Sequence, residues 1–336
     1  MTPLVDQLPL VADDQREAIL RAPRTSDAHR ALMADLPAMQ ALEVGGKGTA
    51  EFLCFPISVV AWNLERCLFP EDSAAHIAPL RPQVVLLSEM DKGMARTGQR
   101  HTTAAMADAL GMHFAYGVEF HEMDLGGPSE RKFCRDDFNT DGWHGNAILS
   151  SSPFVRLALI RLDDHGHWFV PSDGAADPGQ PRVGGRMAVA AVIKVDDGEA
   201  CFVSTHLESA AGVDHRDRQM HVLLEAIEEF APDMPVIIGG DLNTGNHLPD
   251  FDWRKESLFE TARRAGYHWD ANAPGTTTRP SLITLKPSAV MKLDWFAVRG
   301  VRGDDAQIIP STDANGRPLS DHDAVAAQFQ LMDAGR

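Results

Sequence analysis

The stretch Val236-Ile237-Ile238-Gly239-Gly240-Asp241-Leu242-Asn243 constrains this chain more than any other. A short run of β-branched residues closed by two glycines reads as a buried strand that stops abruptly. The glycines let the backbone turn tightly and let a ligand approach. Beyond them, Asp241 and Asn243 face the same way if the backbone stays extended. Taken alone, the stretch is equally well an ordinary strand followed by an Asx-type turn. The balance shifts because polar strand ends of the same kind recur elsewhere in the chain.

Apolar runs of strand length begin after Phe55 and occupy residues 57–62, 84–88, 146–150, 155–162, 187–194, 200–205, 236–238 and 293–298. A last one, 323–331, partly alternates apolar and polar residues. Helical spacing appears at 73–80, 103–111, 213–230 and 255–265. Strands outnumber helices, and consecutive strands often lack a helix between them. The expected class is therefore α+β, with sheets packed face to face and helices outside, rather than a doubly wound parallel sheet. Residues 1–50 differ: 13–21 and 26–42 carry helical spacing behind Asp and Ser caps, with Pro37 placed to interrupt the second helix. Gly45-Gly46-Lys47-Gly48 reads as a flexible joint. The expected organisation is a helical N-terminal extension (1–50) followed by one larger domain (51–336). Residues 126–142 and 171–185 read as long surface loops that shape a site.

Charge narrows the partners. The formal net charge is −17, from 48 acids against 31 bases. A protein that tracks long nucleic acid normally presents a basic face, so this balance disfavours such a polymer, although a local basic cleft stays open. The four cysteines are scattered without metal-type spacing and read as free thiols in a reducing compartment. The first twenty residues lack the basic start and apolar run of a signal peptide, and no segment reaches the length of a membrane span. A cytoplasmic location is expected.

Several strand ends carry chemistry. Trp62-Asn63-Leu64-Glu65 ends one strand with an amide and an acid, and Leu87-Ser88-Glu89 ends the next with a carboxylate. Ser204-Thr205-His206 adds a histidine, and Gly240-Asp241-Leu242-Asn243 an acid and an amide. Leu293-Asp294-Trp295 and Ser320-Asp321-His322 complete the set near the C-terminus. Oxygen donors with two histidines suit a hard cation such as Mg²⁺ and phosphoryl chemistry.

In that order, and with Gly145-Asn146-Ala147-Ile148-Leu149-Ser150 and Thr205-His206-Leu207 between them, these motifs resemble the endonuclease/exonuclease/phosphatase superfamily over about residues 55–331. That superfamily includes deoxyribonucleases, abasic-site endonucleases, neutral sphingomyelinases and inositol polyphosphate 5-phosphatases. The resemblance implies a four-layered α/β sandwich of two mixed sheets flanked by helices, with the site at one end. It implies Glu89 as the main ligand of Mg²⁺ (or Mn²⁺), Asn63 as a neutral ligand or orienter of a bound water, and Asp321 close to the ion. Glu65 reads either as a second acid near the metal or as a turn residue pairing with Arg66 or another base. By the same resemblance Asp241 activates or orients the attacking water, and Asn243 holds a phosphate oxygen. His322 with Asp294 forms a His–Asp pair that takes the water's proton or stabilises the phosphorane oxygen. His206 donates to the same oxygens or supplies a proton. Arg186 matches a phosphate-side arginine, or else a surface ion pair. Asn146 matches a substrate-side amide, or else a turn residue. His144 has no place in that pattern.

The expected activity is divalent-metal-dependent hydrolysis of a phosphate ester, with a small or lipid-like substrate favoured by the acidic balance. The same residues serve a nuclease with a local basic groove, or a pocket adapted to a non-phosphate substrate. Arg131, Lys132 and Arg135 in the 126–142 loop read as a solvated charged loop, and Trp143 and Trp168 as packing residues.

Overall fold

The computed structural model describes residues 2–171, 181–196 and 198–332. The chain enters through β1 (Leu4–Val5), α1 (Asp13–Arg21), α2 (Ser26–Asp35) and β2 (Leu42–Gly46). There follow β3 (Ile57–Arg66), α3 (Pro70–Ile77), β4 (Val84–Lys92), α4 (Thr102–Leu110), β5 (His113–Glu122), β6 (Trp143–Ser150) and β7 (Phe154–Arg161). Next come β8 (Arg182–Gly184), β9 (Met187–Val195), β10 (Gly198–His206), α5 (Val213–Phe230) and β11 (Val236–Asp241). The last elements are α6 (Leu258–Arg264), β12 (Asp294–Arg299), β13 (Val301–Ile309) and β14 (Ala324–Leu331).

The strands form two mixed sheets. The larger runs β1-β2-β5-β6-β4-β3-β14-β13, with β8 added beside β5; the smaller runs β12-β11-β10-β9-β7. Strand periodicity explains the layering. On β3, Val59 and Ala61 face inward, where they meet Val189, Ala191, Phe202 and Ile237 of the other sheet. Val60 and Trp62, one step out of phase, face outward against Ala74 of α3 and Met106 of α4. Behind the smaller sheet, Val203 and Ile238 pack on Leu223, Leu224 and Ile227 of α5 and on Leu258 of α6. Each such fully buried aliphatic side chain contributes roughly 1.5–3 kcal/mol. Helices, sheet, sheet and helices make the expected four layers.

Several expectations need correction in detail. β11 does not stop at its glycines but runs through them to Asp241. Both glycines serve sheet packing rather than ligand approach. A Cβ on Gly239 would lie 2.7 Å from Leu86 across the core, and one on Gly240 would lie 1.9 Å from the Thr205 carbonyl oxygen. The supposed joint is also ordered, since Gly45 and Gly46 end β2 and pair with Phe114 and His113 of β5. Residues 1–50 therefore supply two strands of the large sheet as well as two helices, and Pro37 ends α2 ahead of a 3₁₀ turn at Pro37–Gln40. Most of the 171–185 loop lies outside the described residues; its far end is β8. All four cysteines are free, with Cys67 and Cys201 buried and Cys54 exposed. Among the described residues no helix is long and apolar enough to cross a membrane.

Candidate active site

Strand register assembles half of the site without any special device. β10 and β11 run parallel with His206 opposite Asp241, and β11 and β12 run antiparallel with Asp241 opposite Asp294. These polar side chains therefore sit side by side at one end of the smaller sheet. His322 reaches them from the segment before β14, which is pinned to β3. Trp62 Nε1 donates to the His322 carbonyl (2.8 Å), and Ser320 Oγ donates to the Asn63 carbonyl (2.6 Å). His322 Nδ1 donates to Asp294 Oδ2 at 2.8 Å, and its Nε2 lies 3.6 Å from Asp241 Oδ2. Burial alone would lower the His322 pKa, but Asp294 and Asp241 override it and hold the ring well above the usual imidazole range. Burial also raises Asp241, against the pull of His322.

The other half is built on bent backbone. The β3–β4 ladder shifts register between Asn63 and Arg66, and the β4–β6 ladder shifts between Leu87 and Met90. Glu65 (φ 43°), Arg66 (φ 80°) and Glu89 (φ 57°) all occupy the left-handed region, which side chains other than glycine rarely adopt. Such bulges re-aim side chains at the ends of strands. Asn63 Nδ2 donates to Glu89 Oε1 and to Asp241 Oδ2, both at 3.1 Å, so the amide ties the two halves together. Its carbonyl oxygen accepts from the Glu65 N–H (3.0 Å). Asn63 thus orients two carboxylates with the face that holds protons.

Glu65 does not pair with Arg66. It accepts from Ser281 Oγ (2.7 Å) and from the Thr284 N–H (3.0 Å), because successive left-handed residues send the two side chains apart. Burial and the neighbouring Asp321 push its pKa up to about 8. Burial and Glu89 likewise raise Asp321. Arg66 instead donates to Glu89, and Arg66 with His206 and His144 holds that carboxyl well below its usual range in spite of burial.

Asp241, His322, His206, Asn243, Glu89 and Asp321 meet in one cleft of about 460 Å³, rimmed by Phe251, Thr278, Arg279, Pro287, Ser288 and Met291. Asp294 lies directly behind His322. Asn243 (φ 50°) uses its amide on the Leu207 carbonyl (3.0 Å) and accepts from Asn246 Nδ2 (2.7 Å), so its backbone turn is held from both sides. Two candidates sit elsewhere. Arg186 stands behind His206 with its guanidinium spread over Glu208 (3.2 Å), Glu119 (3.1 Å), Ser209 (3.1 Å) and the His206 ring (2.8 Å). It is neither a surface ion pair nor turned to the cleft. Asn146 is fully buried and donates to the Met187 carbonyl (2.9 Å), which ties the two sheets together.

Two donor groups suit an ion. Donor atoms of Asp241, Asp294 and His322 lie within 4.8 Å of one another. However, the 2.8 Å hydrogen bond already commits the His322 Nδ1 to Asp294. The carboxylates of Glu89, Asp321 and Glu65 are oxygen-only and mutually repulsive, as the raised pKa values of the last two record. That set fits a hard cation, whose charge would relieve the repulsion.

Residues 60–322 match the endonuclease/exonuclease/phosphatase family. The chain belongs to that family. It is 24% identical over 227 residues to the uncharacterized protein YbhP of Escherichia coli, covering 67% of this chain and 72% of YbhP. The fold is similar to that of an endonuclease/exonuclease/phosphatase protein from Beutenbergia cavernae (TM-score 0.58, 18% identity, 82% of this chain and 71% of that one). It is also similar to the human Nocturnin catalytic domain with bound sulfate (TM-score 0.54, 16% identity, 87% and 98% covered). Members of this endonuclease/exonuclease/phosphatase family are typically metal-dependent phosphoester hydrolases.

For this family member, reading the motifs missed one whole layer of the site. Arg66 Nε donates to Glu130 (2.9 Å), and Arg96 donates to Glu130 (2.9 Å) and, in bidentate fashion, to Asp91 (2.7 and 2.9 Å). His144, which matched no motif, donates its Nδ1 proton to Asp91 (2.9 Å) and places Nε2 3.5 Å from Arg66. Glu130 belongs to the 126–142 loop, so that loop is anchored beneath Glu89 rather than lying free on the surface. Arg131 in the same loop pairs with Asp124 (2.7 Å), and Trp143 is fully buried. The signal available for the network was a run of charged residues inside strand-length segments, at Glu89, Asp91 and Glu119.

Proposed function

We propose that this protein is a Mg²⁺- or Mn²⁺-dependent phosphoesterase acting on a small or lipid-like phosphate ester by direct attack of water. The observation that carries this reading is that His322, paired to Asp294, stands 3.6 Å from Asp241 on the floor of the cleft that also holds Glu89 and Asp321. Glu89 and Asp321, with Glu65 behind them, would hold the ion, which supplies charge neutralisation at the phosphoryl and leaving oxygens.

The chain's own groups do the rest. Asp241 accepts a hydrogen bond from the attacking water and fixes its direction. Asp294 fixes the His322 tautomer and favours its charged form, so His322 Nε2–H donates to charge developing on the phosphoryl oxygens. His206 is raised above the usual imidazole range: burial and Arg186 act against its charge, and Glu119 and Asp241 prevail. Its ring sets a second imidazole on the same side of the cleft. Asn243 holds the turn that places its own backbone and Asn246 at the rim. Arg186 positions His206 rather than meeting phosphate.

The cleft favours a small ester over a nucleic-acid strand. Among the described residues lining it, Arg279 is the single arginine or lysine, and it pairs with Asp323 (3.1 Å). A polymer contacted at several phosphates requires a row of such cations. The test is a hydrolysis screen of phosphodiesters, phosphomonoesters and single- and double-stranded DNA with Mg²⁺, Mn²⁺ or chelator. Small-ester turnover that requires the ion is expected. Faster cleavage of DNA, with binding that weakens steeply as salt rises, would replace this reading with the nuclease one.

A further inference from the structure

A second hollow, of about 540 Å³, adjoins the cleft, since Phe251, Ala289 and Met291 line both. Lys292 belongs to its lining and is only 8% exposed. The backbone there is fixed: Thr244 Oγ1 donates to the Lys292 carbonyl (2.7 Å) and accepts from Trp295 Nε1 (3.0 Å). The Lys292 ammonium stands 4.2 Å from the centre of the Trp295 ring and donates to the Ala273 carbonyl. An ammonium carries three N–H groups, so this leaves donors unused. Burial lowers the Lys292 pKa to about 8, and no acid opposes that shift. A buried cation without an anionic partner is costly, and a bound anion would relieve that cost.

We propose that this hollow is a subsite for the leaving group of the ester, and that it takes an alcohol with an apolar body and a second anionic group, a carboxylate or a phosphate, bound at Lys292. The inference rests on the phosphoesterase reading of the cleft and names its substrate class. The rest of the lining suits both parts of such a group. Phe251, Trp253 and Val290 supply an apolar wall. Gly275 and Thr276 line the same hollow, and among the described residues their N–H groups make no hydrogen bond, so they add donors for an anion. Arg254, stacked on Trp253 (4.8 Å) and paired with Asp252 (3.3 Å), adds positive charge at the exposed edge. Asp250 is the one acid among the described lining residues, and it is exposed.

The separation suits a small substrate. Lys292 lies two residues before Asp294, which is about 7 Å of extended backbone. Asp294 in turn holds His322 in the cleft (2.8 Å). A leaving group built on one ring or a short chain therefore reaches from the reacting phosphate to the hollow. One buried cation reads a single extra charge on such a molecule. It does not form the row of surface cations that tracks a polymer.

Three aryl esters test this on the full chain with Mg²⁺: phenyl phosphate, its para-carboxylate and its para-phosphate. The two charged esters are expected to show kcat/KM roughly 10–100-fold above phenyl phosphate, carried by a lower KM. Lys292→Gln removes that preference, and Lys292→Arg keeps most of it. Whichever charged ester leads identifies the anion. Equal constants for the three esters, or a preference that survives in Lys292→Gln, overturns the proposal. Should Lys292→Gln fail to fold, or none of the three esters turn over, binding to the wild type decides. Benzoate is then expected to shield Lys292 from acetylation by acetic anhydride, read by peptide mass spectrometry, and benzyl alcohol to leave it open. An unshielded Lys292 overturns the subsite. Shielding without turnover of any phosphate ester keeps the anion site and overturns the phosphoesterase reading instead.

Discussion

The two halves of the cleft are made by different physics. On the smaller sheet, ladder register alone puts His206 beside Asp241 and Asp241 beside Asp294. Opposite charges then meet: a raised imidazole and two carboxylates hold one another in place. On the larger sheet, Glu65, Arg66 and Glu89 are aimed by left-handed backbone at ladder irregularities, and the acids repel one another. The first half is complete as a hydrogen-bonded His–Asp unit. The second is held by Arg66, Asn63 and Ser281 in an arrangement that a cation would stabilise. Preorganisation by register needs no partner, whereas preorganisation by strain and like charge does.

That contrast can be broken experimentally. The largest expected effect is at its centre: Asp241→Asn and His322→Ala each lower turnover on the best phosphate ester by about 10²–10⁴-fold, while circular dichroism shows an intact fold. A chain that loses its fold instead would make the unit structural. Next, Glu89→Gln should cut turnover about 10²-fold and shift the half-saturating Mg²⁺ concentration upward, since several kcal/mol of charge stabilisation pass through that ligand. An unchanged metal titration would move the ion to Asp241, Asp294 and His322.

A pH series sharpens the repulsive side. Glu65 is raised from 4.5 to about 8, so the folded state keeps a proton that the unfolded state has lost between those values. In chelator, stability should therefore fall as pH rises through that window, by an amount on the order of a few kcal/mol. Glu65→Gln should flatten the fall, and Mg²⁺ should offset it in the wild type. Urea midpoints at pH 5 to 8 check both. The smallest effect belongs to Arg186→Lys, expected to cost turnover about 10-fold by loosening His206, with the Mg²⁺ titration unmoved. A change in substrate KM alone would restore Arg186 to a phosphate-binding role.

What could be read from residues followed the same division. Every strand placed by an apolar run is present, because those runs face the core on one side or both. β5 was overlooked although Phe114, Tyr116 and Val118 face the core; its far end buries Glu119 and Glu122, which pair with Arg186, Arg96 and Arg182 from distant parts of the chain. β13 escaped because it is an edge strand with Arg302, Asp304 and Asp305 facing water. Local patterns record burial, and they miss a strand whose polar groups are paid for by remote partners.

The sequence by itself determined the class of fold, the layered core and the polar strand ends, since alternation and chain order are local properties that any sandwich built from these runs must obey. Tertiary structure alone decided which functional group each end presents. Arg66 was turned to Glu89 and away from Glu65, Arg186 was placed behind His206, and Glu130 was drawn under the cleft from a loop. Those outcomes depend on backbone angles at a few bulged residues and on charges brought together from far along the chain, and no local pattern encodes either.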